Sequence, residues 1–305
     1  MKWKTMLVLS AIALAYFTRE HLHAAPPFSG TIFLDPDIIV DSDPTTFQSV
    51  VAAGLGNRWM FDRRVNNWVH LNAFLFKASY SDGLGIEIQV NSEFGDQASA
   101  WAEASKYAPI IGRLPTCLRV SVQTVWIHKG TQPFGGGNNN LLIHTGQADQ
   151  YEESGILEET LVHEATHTSL DAAHVSAPRW IAAQTADGEF ISTYARDYPD
   201  REDLAETFLL YLAFWHRSER ISLSLSNTIS QTIPNRIAYL HGLNLDMNPV
   251  VPPPSPTPSM KAPSWSVSPK NVDFIGNFVE GAQRVQVHLQ AAGLGATKRW
   301  VLSGN

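Results

Sequence analysis

The sequence has few of the features that mark several common protein classes. Among 305 residues it has a single cysteine, Cys117, which excludes an intrachain disulfide framework and leaves a catalytic thiol without supporting context. There are 22 Lys and Arg against 29 Asp and Glu, a net charge of −7, so the composition does not indicate a nucleic-acid partner. No Gly-x-Ser-x-Gly pattern occurs, and a serine hydrolase therefore has little support.

The N-terminus has no apolar run long enough to cross a bilayer. Two lysines precede an apolar run from Met6 to Phe17, which is about 12 residues against the ~20 that a spanning helix needs. A basic start followed by a short apolar run is typical of a secretory signal peptide, here residues 1–25. We therefore expect a secreted or extracytoplasmic protein with no stable membrane insertion after cleavage. The alternative is an uncleaved membrane anchor.

A triple glycine, Gly135-Gly-Gly137, invites comparison with a phosphate-binding loop. Such loops run from a strand into a helix and carry Lys-Ser or Lys-Thr after the last glycine. Here the glycines precede a predicted strand, and no Gly-Lys-Ser/Thr follows them. We interpret the segment as a flexible turn that leads into an edge strand, Leu141–His144.

The strongest motif is His163-Glu164-Ala-Thr-His167. On a helix, two histidines four residues apart lie on one face about one turn apart, so both imidazoles can bind one metal ion. Zinc accepts imidazole nitrogen, and a catalytic zinc site has three protein ligands with a position left for water. Glu164 follows the first histidine, where its carboxylate can take a proton from that water.

A third ligand is needed, and four downstream residues are candidates. His174 is too far along an unbroken helix from His167, roughly 10 Å by helical rise. Asp171 lies one turn beyond His167, where it could at best orient that histidine. Glu202 and Glu206 share one face of a strongly helical, apolar segment, and a cation would explain two carboxylates there. One of them can bind the metal while the other supports a ligand histidine.

These motifs resemble those of a known family. A helix with Glu-x-x-x-Glu downstream of His-Glu-x-x-His is similar to the gluzincin branch of the zincin metallopeptidases. The segments Ser192–Arg196 and Glu202–Phe208 further resemble the catalytic domains of anthrax lethal factor-like secreted metallopeptidases. The resemblance implies zinc bound by His163, His167 and Glu202, with Glu206 supporting a ligand histidine. It also implies that Glu164 is the general base and that Tyr194 stabilises the oxyanion.

The expected fold is α+β, a zincin-like mixed β-sheet with an active-site helix and a ligand-bearing helix. We predict the active-site helix over Ser154–Ala172 and the ligand-bearing helix over Glu202–His216. A further helix begins near Gln97 and is expected to end at Pro109. The predicted strands are Arg58–Asp62, Trp68–Phe76, Gly85–Asn91, Leu118–His128 and Leu141–His144, the first two forming a hairpin.

Composition divides the chain into four parts. After the signal peptide, residues 26–248 form the predicted metallopeptidase domain, whose first part, residues 26–84, is rich in strand-forming residues. Residues 249–264 are rich in proline, serine and threonine, which is typical of an extended linker. Residues 265–305 form a small C-terminal segment of unknown role, with one strand candidate at Arg284–Leu289.

The sequence thus predicts a secreted zinc metallopeptidase that acts on a peptide or protein substrate. Two alternatives remain. One is a zinc-dependent hydrolase of a non-peptide amide, because the same activation of water serves other amides. The other is a non-catalytic binding or adhesion protein on a zincin scaffold, against which the intact Glu164 argues.

Overall fold

The computed structural model describes residues 25–35, 37–251, 286–289 and 298–301, the last two ranges by their backbone. The predicted signal peptide, apart from its last residue, and most of the proline-rich and C-terminal segments lie outside these ranges. The chain divides into two compact units, Met1–Pro253 and Pro254–Asn305. In the second unit, β7 (Gln286–Leu289) pairs antiparallel with β8 (Lys298–Val301), which confirms a strand within the candidate Arg284–Leu289.

The first unit contains a mixed six-stranded sheet in the order β1-β2-β3-β4-β6-β5. β1, β2 and β3 are antiparallel, β3, β4 and β6 are parallel, and β5 is antiparallel to β6. The α+β class is therefore confirmed. The strands are β1 (Phe47–Asp62), β2 (Asn67–Tyr80), β3 (Gly85–Val90), β4 (Thr124–His128), β5 (Gly135–Gly137) and β6 (Asn140–His144).

Ten α-helices occur among the described residues. They are α1 (Gln97–Ile111), α2 (Thr116–Arg119), α3 (Thr145–Glu153), α4 (Leu157–Ser169), α5 (Asp171–His174), α6 (Pro178–Asp187), α7 (Thr193–Asp197), α8 (Asp203–Tyr211), α9 (Leu223–Thr232) and α10 (Pro234–His241). A π-helical turn, Leu212–His216, continues α8. None of the helices within the described residues is long and apolar enough to cross a membrane.

Apolar residues pack on both faces of the sheet. The main core lies between the sheet and the helices, and it includes Ile88, Val125, Leu161 and Phe208. A smaller cluster of Met60, Ala73, Leu75, Trp126 and Leu142 lies on the other face. Because strand residues alternate between faces, the long β1–β2 hairpin can bury Met60 against β4 and β6 there. The tip of the hairpin reaches β5, where the guanidinium of Arg63 lies against Gly135.

The predicted hairpin is confirmed, and both of its strands are longer than predicted. Phe61 pairs with Trp68 at the tip, and the pairing extends to Phe47 opposite Tyr80. Asn66 adopts a positive φ of 49° in the connecting turn, a conformation that asparagine tolerates better than most residues.

Several predicted boundaries and the predicted edge strand are wrong. The active-site helix begins at Leu157, because Ser154 and Gly155 end the preceding helix α3. Helix α1 passes Pro109 and ends at Ile111, since a proline in the last turn removes one hydrogen bond while Ile110 and Ile111 are buried in the core. The strand predicted from Leu118 begins at Thr124. Strand β6 is interior, and the glycine strand β5 forms the edge of the sheet.

Candidate active site

Helix α4 presents His163 and His167 one turn apart, and the N-terminal end of α8 brings Glu202 against them. The two Nε2 atoms are 3.1 Å apart, and Glu202 Oε2 lies 3.2 Å from each of them. These three residues form a group of donor atoms that could hold a metal ion. The structure therefore brings together the three ligands that the sequence predicted.

The triangle of donor atoms fits a tetrahedral metal ion of the size of zinc. Zinc binds imidazole nitrogen and carboxylate oxygen at about 2.0–2.2 Å, so two ligand atoms at the tetrahedral angle lie roughly 3.3–3.5 Å apart. The observed separations of 3.1, 3.2 and 3.2 Å need only a small expansion to reach this value. The chemistry of the donor set, two imidazoles and one carboxylate, also suits zinc.

Each histidine has a carboxylate at its other ring nitrogen. His167 Nδ1 lies 2.7 Å from Asp171 Oδ2, and His163 Nδ1 lies 3.5 Å from Glu206 Oε1. With the Nδ1 proton directed at the carboxylate, Nε2 of each histidine can bind a metal ion at the common point once it carries no proton. Such partners fix the tautomer and orientation of a metal-binding imidazole.

Glu206 is held in place by the segment that precedes β1 and by the turn before α7. Its Oε2 accepts hydrogen bonds from Ile32 N at 3.1 Å and from Ser192 Oγ at 2.8 Å. Its Oε1 is buried and has no hydrogen-bond donor, so it remains available to His163. Burial raises the pKa of Glu206 to about 7.

The cluster of donor atoms is strongly coupled electrostatically. Burial disfavours the charged form of His167, but hydrogen bonds with Asp171 and Glu202 outweigh burial and raise its pKa to about 10. Burial also opposes ionisation of Glu202, but hydrogen bonds with His163 and His167 outweigh it and hold the pKa of Glu202 well below its usual range. A bound cation would replace the proton on His167, so its binding would release a proton.

Tyr194 lies beside the cluster of donor atoms. Its ring stacks near that of His163, with centroids 6.5 Å apart, and its hydroxyl is close enough to Glu202 and Arg201 for both to act on its pKa. Burial raises the pKa of Tyr194 to about 12, so the hydroxyl keeps its proton and can donate a hydrogen bond. Arg201 Nε donates to Glu202 Oε1 at 2.7 Å, which holds the oxygen that faces away from the histidines.

Glu164 lines the same cleft as the two histidines and Glu202. The backbone of Glu164 lies directly against strand β5, and a Cβ built on Gly136 would be 1.8 Å from Glu164 O. Thr168 secures this contact, because its Oγ1 accepts a hydrogen bond from Gly137 N at 2.8 Å. Gly136 is thus required for the close approach of the edge strand to α4, a role that the composition of the triple glycine alone did not indicate.

The cleft has a volume of about 630 Å³, and two of its walls come from outside the motifs. Thr31 and Phe33 line it from the segment before β1, and Arg63 lines it from the tip of the β1–β2 hairpin. Residues 26–84, the strand-rich first part of the predicted domain, therefore contribute to the site. Their sequence carries no motif for this role, because it follows from tertiary packing.

A second buried carboxylate on α4 fixes the segment before β1. Glu159 Oε2 accepts a hydrogen bond from Leu34 N at 2.7 Å, and its Oε1 accepts one from Ile38 N at 3.3 Å. Burial raises the pKa of Glu159 to about 7. Leu34 and Glu159 are 125 residues apart in the chain, so no local pattern indicates this contact.

The other candidate histidines lie away from the cluster of donor atoms. His174 Nδ1 forms a 2.7 Å hydrogen bond with Tyr239 OH, so it supports the packing between α5 and α10. His128 and His144 end strands β4 and β6, and their rings stack with centroids 5.6 Å apart. Burial lowers the pKa of both, that of His144 to about 4. Asp62, at the end of β1, lies about 4 Å from each ring, at 3.9 and 4.0 Å.

Comparison with known proteins gave no match to a family model, to a curated protein or to a solved structure. The proposed function therefore rests on the geometry of the site.

Proposed function

We propose that this chain is a secreted zinc metallopeptidase of zincin type. One observation carries the proposal. The donor atoms of His163, His167 and Glu202 form a triangle of tetrahedral size, and each histidine is backed by its own carboxylate. A solvated cluster of charged residues has no need of these supporting carboxylates, of which that of Glu206 is buried, whereas a metal site does.

Bound at this point, zinc supplies a Lewis acid that polarises a carbonyl and lowers the pKa of water towards ~7. Glu164 is placed in the cleft beside the ligands, where its carboxylate can accept a proton from water and deliver it to the leaving amine. Tyr194 can donate a hydrogen bond from its protonated hydroxyl to the oxygen of the scissile carbonyl.

The edge of the sheet supports a peptide as the substrate. Strand β5 forms one side of the cleft through Gly136 and Gly137, and it ends the sheet next to α4. An extended peptide can add to such an edge through backbone hydrogen bonds. Because its backbone abuts that of Glu164, β5 would place a bound peptide next to the general base.

Zinc stoichiometry tests the ligand set. Elemental analysis of the purified protein is expected to give about one zinc ion per chain, and His163→Ala and Glu202→Ala are expected to lose it. His174→Ala is the matched control, because His174 bonds to Tyr239 and is expected to leave the zinc content unchanged. Equal zinc content in the wild type and His163→Ala would overturn the ligand assignment.

Peptide cleavage tests the activity. The zinc-loaded protein is expected to cleave unstructured peptides, to lose this activity with a chelator and to regain it on addition of zinc. Hydrolysis of a non-peptide amide without cleavage of any peptide would favour the alternative hydrolase. Zinc binding without any hydrolysis would favour a binding protein on the same scaffold.

A further inference from the structure

Arg63 lies at the tip of the β1–β2 hairpin, where it reaches the edge strand. Its Nη2 is 2.9 Å from the position that a Cβ on Gly135 would take, so the guanidinium lies directly over the backbone of β5. The side chain lines both the large cleft and a smaller cavity behind β5. A side chain at residue 135 would displace the guanidinium, and the glycine therefore creates the place that Arg63 occupies.

Within residues 37–251, Arg63 forms no ion pair. Every other arginine there except Arg179 pairs with an aspartate or glutamate. Arg201, the other arginine that lines the cleft, is paired with Glu202. Arg63 is also exposed, so its positive charge is available to a bound molecule.

The smaller cavity behind β5 has a volume of about 230 Å³ and aromatic walls. Trp68 packs edge-on against Trp126 with centroids 5.1 Å apart, and Phe61 packs edge-on against Trp68 at 5.9 Å. The cavity is large enough for one side chain. Its apolar walls can contact the aliphatic part of that side chain while Arg63 meets a charged end at the rim.

Strand geometry connects a bound peptide to this cavity. Gly135 pairs with Leu142, and residues opposite each other in neighbouring strands place their side chains on the same face. Leu142 lies on the face away from the helices, the face that also carries Trp126. A peptide residue added opposite Gly135 would therefore present its side chain on the face of Arg63.

We propose that Arg63 determines substrate specificity by binding the carboxylate of an aspartate or glutamate in the peptide residue that lies opposite Gly135. The inference rests on the proposed function, since it names the substrate class for the same cleft. A guanidinium can bind a carboxylate through two parallel hydrogen bonds, which an uncharged amide reproduces poorly. The cavity behind β5 then accommodates the stem of the acidic side chain.

Paired peptides that differ only by glutamate or glutamine at one position test the proposal. Among peptide sets that vary each position in turn, kcat/KM for the wild type is expected to favour glutamate by about tenfold at one position. Arg63→Gln is expected to reduce this ratio to about one, and Arg63→Glu to favour lysine. Added salt is expected to weaken the preference of the wild type, because Arg63 is exposed.

Arg179→Gln is the matched control, since Arg179 is also exposed and forms no ion pair among the described residues but lies outside the cleft. It is expected to keep the tenfold ratio. If the wild type cleaves peptides but Arg63→Gln retains the same ratio, the role of Arg63 is refuted and the peptidase function stands.

A binding measurement separates this inference from the proposed activity. Zinc-loaded Glu164→Gln is titrated with the same fluorescent glutamate and glutamine peptides, with and without Arg63→Gln. A preference for glutamate that Arg63→Gln abolishes supports the binding role of Arg63 even if the wild type cleaves no peptide. No cleavage together with no preference for glutamate would overturn both proposals.

Discussion

At the scale of single residues, the proposed site depends on carboxylates that lie beside the ring nitrogens of the two histidines. The His-Glu-x-x-His spacing was sufficient to predict that His163 and His167 share a helix face, because helical periodicity is a local property. The support of His167 by Asp171 could also be predicted from the sequence, since the two residues are one helical turn apart. The contact between Glu206 and Ile32 joins distant parts of the chain, so no local pattern could indicate it.

Asp171→Asn is expected to weaken zinc binding about 10- to 100-fold. The 2.7 Å contact with His167 Nδ1 would lose its negative charge, so the imidazole would be a poorer ligand. Competition with a chelating dye measures the zinc affinity. Asp197→Asn is the control, because Asp197 pairs with Arg196 at the surface. An unchanged affinity in Asp171→Asn would show that Asp171 does not support the ligand.

His144 is expected to make stability depend on pH. Its pKa is about 4 in the folded protein against the ordinary value of 6.5, so its contribution to stability is complete above pH 6.5 and is lost as the pH falls towards 4. Relative to His144→Leu, the wild type is expected to lose about 2–3 kcal/mol of unfolding free energy between pH 7 and pH 4. Urea unfolding at both pH values measures this difference.

The comparison with His144→Leu is necessary because other buried groups act in the opposite direction. The pKa values of Glu159 and Glu206 are raised to about 7, so protonation of these groups favours the folded protein as the pH falls. The difference between the wild type and the variant cancels these contributions. If the free energies of unfolding of the wild type and His144→Leu change in parallel with pH, the lowered pKa of His144 is contradicted.

At the scale of elements, the close contact between β5 and α4 organises the cleft. Sequence analysis identified the glycine turn and rejected a phosphate loop, but it placed the edge of the sheet at Leu141–His144. The order of strands depends on pairings between distant residues, and a three-residue glycine strand has no side-chain pattern to reveal it. The active-site helix was predicted to begin at Ser154, although Gly155, at a φ of 71°, separates α3 from α4.

Gly136→Ala is expected to separate β5 from α4. The added Cβ would be 1.8 Å from Glu164 O. Because this Cβ is attached to the backbone of β5 and Glu164 O belongs to the backbone of α4, the clash can be relieved only by displacing β5 or α4. We expect a loss of about 1–3 kcal/mol in stability together with a loss of zinc-dependent cleavage. Gly85→Ala is the control, because its Cβ would meet Ala78 O at an ordinary 3.8 Å. Activity retained by Gly136→Ala would contradict the role of this contact.

At the scale of the whole molecule, the site is assembled from parts that are far apart in sequence. The segment before β1, the hairpin tip, the edge strand β5 and helices α4, α7 and α8 all meet at one cleft. The α+β class, the central strands and the two motif-bearing helices could be predicted, because their periodicity is local and strong. The contributions of residues 26–84 could not, because they depend on contacts between distant segments and on buried carboxylates.

We propose that one cleft holds zinc and that Glu164 activates water there. The most direct test is cleavage of a peptide library by the zinc-loaded wild-type protein beside Glu164→Gln, with zinc content measured in both. We expect equal zinc content and cleavage that is about 10²- to 10⁴-fold slower in Glu164→Gln. Equal rates of cleavage by the two proteins, or no cleavage by the zinc-loaded wild type, would contradict the account.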